Sequence, residues 1–225
     1  MKKISLIIPC FNEEDGIKYI LKSVPSYIDE IVVVDNNSAD NTAKVAGQYG
    51  ARVVFEKQRG YGNAYLSGFK NATGEIFITM DGDGSYSLKD STRMLGYILN
   101  NGIDFVSGCR FPLNDKKSMR ILNRFGNWFL TLVFNLLSGR NVKDSQSGMW
   151  VFKKEVLDKI KLKSGGMSLS EEIKMEIILH EDIKFLEVPI SYNKRVGETK
   201  LRRAKDGLLN LFFLVKKRIE IFFRK

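Results

Sequence analysis

The chain has 225 residues, 44% hydrophobic and 28% charged, enough for one domain with a substantial core and a short appendage. A formal net charge of +10, concentrated near the C-terminus, favours an anionic partner: phosphate compounds, nucleic acid or an acidic membrane surface. A single histidine, His180, argues against a histidine-based zinc site or a Ser-His-Asp relay. Two distant cysteines, Cys10 and Cys109, form no CxxC pair and suit small buried hydrophobes in a reducing compartment.

Met1-Lys2-Lys3 leads into a strand-like run without a cleavage-site pattern, so a cytoplasmic location is expected. Strand-like runs at 4–8, 31–34, 52–55, 75–79 and 105–107 alternate with helical patterns at about 13–26, 41–49, 63–70 and 89–100. Such alternation predicts an α/β fold: a mostly parallel sheet with helices on both faces. From about Cys109 the pattern changes. A long apolar helix is expected at about 119–137, strands at 142–152 and 185–192, and an amphipathic helix over 204–223. The economical division is one domain over 1–201 and a C-terminal helical appendage over 202–225.

The richest stretch is Gly74-Glu75-Ile76-Phe77-Ile78-Thr79-Met80-Asp81-Gly82-Asp83. It reads as a strand buried on both faces that ends in two carboxylates separated by one glycine. Open α/β sheets bind ligands beyond the carboxyl ends of their strands. Two hard oxygen donors there suit a divalent cation that stays partly hydrated and shares substrate phosphates. An EF-hand loop starting at Asp81 is excluded, because its sixth and twelfth positions would be Tyr86 and Thr92. Gly60-Tyr61-Gly62 does not make a dinucleotide fingerprint, since the next glycine, Gly68, is misplaced. Lys57-Gln58-Arg59-Gly60 suits a basic loop beside a diphosphate.

The first two strands end in Pro9-Cys10-Phe11-Asn12-Glu13 and Asp35-Asn36-Asn37-Ser38-Ala39-Asp40, on the same rim. Asp35 or Asn36 is placed to bond a nucleobase and Glu13 a ribose hydroxyl. Residues 37–40 also suit a plain turn and helix N-cap.

Together these residues resemble glycosyltransferase family 2, on the nucleotide-sugar-binding fold called GT-A. The matching pieces are Pro9–Glu13, Val34–Ser38, Gly60–Ala64 and Asp81–Asp83, then Ser107–Arg110, Asp144–Gly148, Val188–Tyr192 and Arg195–Leu201. The last three look like the dolichyl-phosphate mannose synthase branch, whose members load a sugar onto a polyprenyl phosphate. The resemblance implies that Pro9, Phe11, Glu13 and Asp35 line the nucleoside pocket. It implies that Asp81 and Asp83, flanking Gly82, hold Mg²⁺ or Mn²⁺ against the diphosphate. Arg195 and Lys200 would close over the phosphates, and Arg110, Lys143 and Ser147 would receive the acceptor phosphate. Asp83, Arg110 and Ser147 thus form the implied catalytic set. This chain departs from the pattern at Asn36, where a second aspartate is common, at Ser85, where some synthases place a glutamine, and at Lys143, where arginine is usual.

A phosphate monoester is mostly dianionic near neutral pH, so it can attack the sugar C1 without a general base. What the site then needs is cations, which fits an inverting displacement by a polyprenyl phosphate on a nucleotide sugar of the GDP-mannose, UDP-glucose or UDP-GlcNAc type. Glu171 or Glu172 is a reserve candidate for a sugar contact. Two readings compete: a family 2 enzyme acting on a glycan or protein hydroxyl, and a non-catalytic nucleic-acid-binding module. The second fits poorly, because the aromatics lie on apolar stripes and not among basic residues. In the C-terminal helix, Ala204, Leu208, Leu211, Phe212, Val215, Ile219 and Phe222 make one stripe, with basic residues at its ends. It is too short an apolar run to span a bilayer and suits a peripheral place at the membrane interface, or packing on the sheet or in a homo-oligomer.

Overall fold

The computed structural model describes residues 2–197 and 203–223, the latter with side chains from 207. Four parallel strands begin the sheet: β1 (Ile4–Cys10), β2 (Glu30–Asp35), β3 (Arg52–Phe55) and β4 (Ile76–Thr79). With β5 (Phe105–Cys109), β6 (Trp150–Lys153) and β7 (Phe185–Pro189) they form one seven-stranded sheet, ordered β3-β2-β1-β4-β6-β5-β7. β6 runs antiparallel to β4 and β5, while β5 and β7 are parallel.

Continuous apolar runs explain this placement. Every residue of β1 and β4 is buried, as expected of strands covered on both faces. Successive side chains point to opposite faces. Leu6 and Ile8 pack with Ile17 and Ile20 of α1 (Glu14–Leu21), Val45 of α2 (Thr42–Gln48) and Met94 and Ile98 of α4 (Leu88–Asn100). Ile7 turns the other way, onto Tyr65 and Phe69 of α3 (Tyr61–Asn71) and Ile173 of α7 (Leu169–Ile178). The short α6 (Val156–Lys159) closes that second face.

One expectation needs correction. The strand expected over 142–152 exists only as β6, and residues 142–149 form an irregular loop. Its residues bond outward to other elements: Asn135 binds both backbone groups of Val142, and Asp144 faces Arg110. The apolar stripe of the C-terminal helix, α8 (Arg203–Phe222), faces mostly outward and does not pack on the sheet. Leu208, Phe212, Val215, Ile219 and Phe222 are exposed. The inward face is Asn210, Leu214, Lys217 and Ile221, packed against α7 and α5 (Ile121–Ser138). Buried Lys217 donates to Glu172 Oε1 (2.9 Å) and the Lys161 carbonyl (2.9 Å) and pairs with Glu176 (2.6 Å). A charge paired on all these sides holds the helix more specifically than apolar contact alone.

Candidate active site

The rim at the carboxyl ends of β1, β2 and β4 is stitched together by short polar side chains. Asn12 turns the chain with φ of 53° after β1. Its N–H donates to Ser38 Oγ (2.9 Å) and its Oδ1 accepts from Ala39 N–H (2.7 Å). Asp35 is buried and accepts from Ser38 N–H (3.2 Å). Asn36 spends its amide on the next loop, donating to the Glu56 and Gln58 carbonyls (3.1 and 2.8 Å) and accepting from Gly60 N–H (2.7 Å). Those bonds occupy the amide that was expected to read a base, so Asn36 acts as a brace for the 56–60 loop. That loop brings the Arg59 guanidinium 4.5 Å from the Phe11 ring centre.

The acidic pair follows β4. At Gly82 an added Cβ would lie 2.5 Å from Cys10 Sγ, so the chain crosses the end of β1 at a distance that excludes a side chain. Asp81 Oδ1 accepts from Tyr61 OH (3.1 Å) and Tyr65 OH (3.4 Å). Burial, and then the neighbouring Asp83 charge, push the Asp81 carboxyl up to about 7. Asp83 Oδ1 accepts from Ser85 N–H (2.9 Å), and Oδ2 lies 3.4 Å from Arg195 Nη1. Arg195 Nη2 donates to Glu13 Oε1 (2.8 Å), so one guanidinium spans the nucleoside and acidic ends of the rim. Val196 N–H, donating to the Asp83 carbonyl (2.8 Å), fixes the segment there. Lys200 lies outside the described residues.

Two neighbouring carboxylates, one held toward its neutral form by burial and repulsion, make a donor set that a bound cation would stabilise. No cluster of three or more His, Cys, Asp or Glu occurs among the described residues. An ion here would complete its shell with water and phosphate oxygens, which suits Mg²⁺ or Mn²⁺.

A cationic cluster stands beside this pair. Arg110 grips Asp144 in a buried fork, Nε to Oδ2 at 2.7 Å and Nη2 to Oδ1 at 2.8 Å. Arg110 Nη2 also donates to Asn127 Oδ1 (2.9 Å), and the guanidinium faces the Tyr192 ring at 5.3 Å. Burial alone would raise the Asp144 carboxyl, but Arg110 overrides it and holds the group well below the usual carboxylate range. Lys174 donates to the Asp144 carbonyl (2.7 Å), and its burial lowers the ammonium to about 8. Lys143 is exposed, and its backbone N–H donates to Glu187 Oε2 (2.7 Å). Ser147 is fully buried: its Oγ accepts from Met149 N–H (3.4 Å) and its carbonyl from Trp150 Nε1–H (2.8 Å). The hydroxyl expected at an acceptor phosphate thus sits inside the loop, where it braces the turn into β6. The loop reaches the acidic pair at Gly148, whose added Cβ would lie 2.1 Å from Tyr61 OH and 3.2 Å from Asp81 Oδ1.

Residues 5–161 match the model of Glycosyl transferase family 2. The chain belongs to this family. It is 31% identical over 207 residues to the dolichyl-phosphate hexose transferase of Haloferax volcanii, covering 91% of this chain and 89% of that protein. The low-salt glycan biosynthesis hexosyltransferase Agl6 of the same organism is 29% identical over 219 residues, 94% of this chain, but the chain spans only 53% of its length. The glucosyl-3-phosphoglycerate synthase of Mycobacterium tuberculosis, crystallised with Mg²⁺ and uridine diphosphate, shares the GT-A fold. Its TM-score is 0.78 at 19% identity, over 96% of this chain and 79% of that one.

Several residues of this family 2 glycosyltransferase's site escaped the sequence reading. Tyr61 was legible only as the middle residue of Gly60-Tyr61-Gly62, and Tyr65 only as a residue of the helix that follows. Asn127 and Thr131 sit inside an apolar helix, and such isolated polar positions are the signal that was available. Thr131 exchanges hydrogen bonds with Ser145 (3.0 Å to its Oγ, 3.1 Å from its N–H). Of the two reserve glutamates, Glu172 is structural, accepting from Lys163 and Ser164 N–H and from Lys217. Glu171 is buried beside Gln146, which donates to its Oε1, while Oε2 has no partner among the described residues. Burial pushes Glu171 up to about 8.

Proposed function

We propose that this glycosyltransferase moves a sugar, with inversion at C1, from a nucleoside diphosphate sugar to a polyprenyl phosphate such as dolichyl phosphate. The observation that carries the reading is the junction at Gly148. There a loop carrying a buried Arg–Asp fork meets two carboxylates fit for a divalent ion. The similarity to a dolichyl-phosphate hexose transferase supports the same acceptor class.

Pro9, Phe11, Glu13 and Asp35 hold the nucleoside, and Arg195, with Lys200, meets the diphosphate. Asp81 and Asp83, on either side of Gly82, would hold Mg²⁺ or Mn²⁺, which supplies charge stabilisation for the departing diphosphate. Arg110 and Lys143 offset the negative charge of the arriving phosphate, with Lys174 and Ser147 supporting the loop behind them. The acceptor phosphate oxygen forms its bond to C1 as the bond from C1 to the diphosphate oxygen breaks. The dianionic nucleophile carries no proton that must leave, so no base is required. A hydroxyl acceptor would require one.

No helix among the described residues is long and apolar enough to cross a membrane. With a lipid acceptor, the chain works as a peripheral protein, on the cytoplasmic face by the sequence reading. The test is glycolipid formation from GDP-mannose, UDP-glucose and UDP-GlcNAc with polyprenyl phosphate and Mn²⁺. One donor is expected to yield product, and Asp83→Ala to lower the rate by about a thousandfold. Unchanged metal-dependent transfer by that variant would remove Asp83 from the mechanism. Transfer to a free hydroxyl acceptor alone would replace the acceptor assignment.

A further inference from the structure

α5 has two unlike faces. Inward, Asn127 bonds Arg110 and Asp144, Thr131 bonds Ser145, and Asn135 bonds Val142, so this one helix holds the loop of the cationic cluster. Outward, Ile121, Phe125, Trp128, Leu132 and Leu136 are exposed, from 42% for Leu132 to 79% for Ile121. Arg124 is the only charge along the helix. α8 repeats the arrangement: Asn210 donates to Gln146 of the same loop (3.2 Å), while Phe212, Val215 and Ile219 face out. The two helices pack side by side through Phe134, Leu214 and Ile221. An open apolar groove of about 550 Å³ runs along α8, lined by Leu211, Phe212, Val215, Lys216 and Ile219.

We propose that α5 and α8 together form the docking face for an anionic lipid bilayer, with the cationic cluster directly behind it. The inference rests on the lipid-phosphate acceptor proposed above and assigns where that lipid approaches. Large apolar side chains on two adjoining helices exceed the scattered exposure expected of a soluble monomer. Exposed cations stand at the margins: Lys116, Lys117 and Arg120 before α5, Arg140 after it, and Lys216 on α8. Among the residues with described side chains, Asp115 precedes α5 and Glu220 lies on α8, where it is paired with Lys163. Apolar helix faces bordered by Lys and Arg are the pattern of helices lying in the interface of anionic membranes. A symmetric pair of this chain would instead set like-charged margins against each other. Because Asn127 and Trp128 are consecutive, the Arg110–Asp144 fork lies about one helix diameter, some 10 Å, behind the exposed surface. A phosphate at the headgroup level can therefore reach the cluster while its chain stays in lipid.

The two tryptophans make the test direct, since Trp150 is fully buried and Trp128 is 59% exposed. Full-length protein is mixed with vesicles of phosphatidylcholine and phosphatidylglycerol in equal parts. The protein is expected to float with the vesicles, and Trp128 emission to shift blue and be quenched by brominated lipid. Trp128→Phe should lose the spectral shift and still float. Phe125→Ser with Phe212→Ser should raise the lipid concentration for half-binding by about tenfold or more, with thermal melting unchanged. Failure to float, or unquenched Trp128 in floated protein, would overturn the assignment. So would a dimer in solution that the double variant dissolves, because the face would then belong to a second copy. A water-soluble short-chain prenyl phosphate separates the two proposals. Transfer to it without vesicle binding refutes the face and keeps the reaction, and vesicle binding without transfer to any prenyl phosphate does the reverse.

Discussion

Replacing Lys217 with methionine removes an ammonium that is 1% exposed and serves Glu172, Glu176 and the Lys161 carbonyl at 2.6 to 2.9 Å. The methylene stem packs as before, so the loss is electrostatic. Glu172 keeps the Lys163 and Ser164 N–H groups but loses its counter-ion, and Glu176 loses the ammonium beside it. Breaking a buried pair by removing one partner costs about 3–5 kcal/mol. In a domain of this size each kcal/mol moves the melting temperature by about 2–4 °C, so a fall of roughly 10 °C is expected. Thermal unfolding followed by circular dichroism measures it. Lys217→Met combined with Glu172→Gln and Glu176→Gln should recover much of the loss, because no unpaired charge is left inside. If Lys217→Met melted within about 2 °C of the parent, α8 would not be held by this triad, and its place against α7 would have to be explained by Leu214 and Ile221 alone.

Two further outcomes follow from the site. Glu171 has a folded-state pKa near 8 against an ordinary 4.5. Its contribution to stability is therefore complete below about pH 4.5 and is lost as pH rises through 8. Glu171→Gln should gain stability relative to the parent at about pH 9 but not at about pH 5; equal differences in melting temperature at both would refute the buried neutral carboxyl. Arg195→Lys keeps the charge but cannot span Glu13 and Asp83 together. The dissociation constant for the nucleoside diphosphate, read by calorimetry, should rise about tenfold, and an unchanged constant would take Arg195 out of the donor site.

The first half of the chain was legible because its elements are locally consistent. Runs such as Ile4–Cys10 alternate with helices of clear period, and the strand ends carry the polar residues. The second half was less so. α7 is buried along its whole length, yet carries Glu171, Glu172, Lys174 and Glu176. Charged residues normally mark a solvated face, and only the fold shows that these meet Lys217, Gln146 and Asp144. In α8 the stripe was legible as an interface band or a packing face; the structure turns it outward, and only the fold shows that a lysine and an asparagine face in. The residues at 142–152 read as one strand, but over 142–149 side-chain bonds from Asn135, Thr131 and Glu187 take the backbone groups a ladder would need. Of the site, the acidic pair could be read from spacing. Its tyrosine donors and the Asn127 support could not, because they depend on long-range packing.

The departures from the family pattern acquire a physical logic in this arrangement. Arg110 has its Nε and Nη2 committed to Asp144 and Asn127, and Asp144 is bonded in turn by the Arg110 backbone (3.0 Å). That fork is a fixed, desolvated charge pair whose residual field acts on Asp81, where Arg110 favours the ionised carboxylate. A second fork-shaped cation next to Asp144 would compete for the same carboxylate. Lys143 instead offers a compact ammonium on a flexible, exposed stem. In the proposed reaction, a point charge that reorients with its ligand suits a phosphate that arrives as a dianion and leaves as a monoanionic diester. On the donor side the logic is the opposite: Asn36 locks the 56–60 loop with three hydrogen bonds, and Glu13 and Asp83 share one guanidinium. Under the proposed function the site thus pairs a donor rim fixed by hydrogen bonds with an exposed acceptor-side lysine, the division of labour expected when the donor binds by shape and the acceptor by charge.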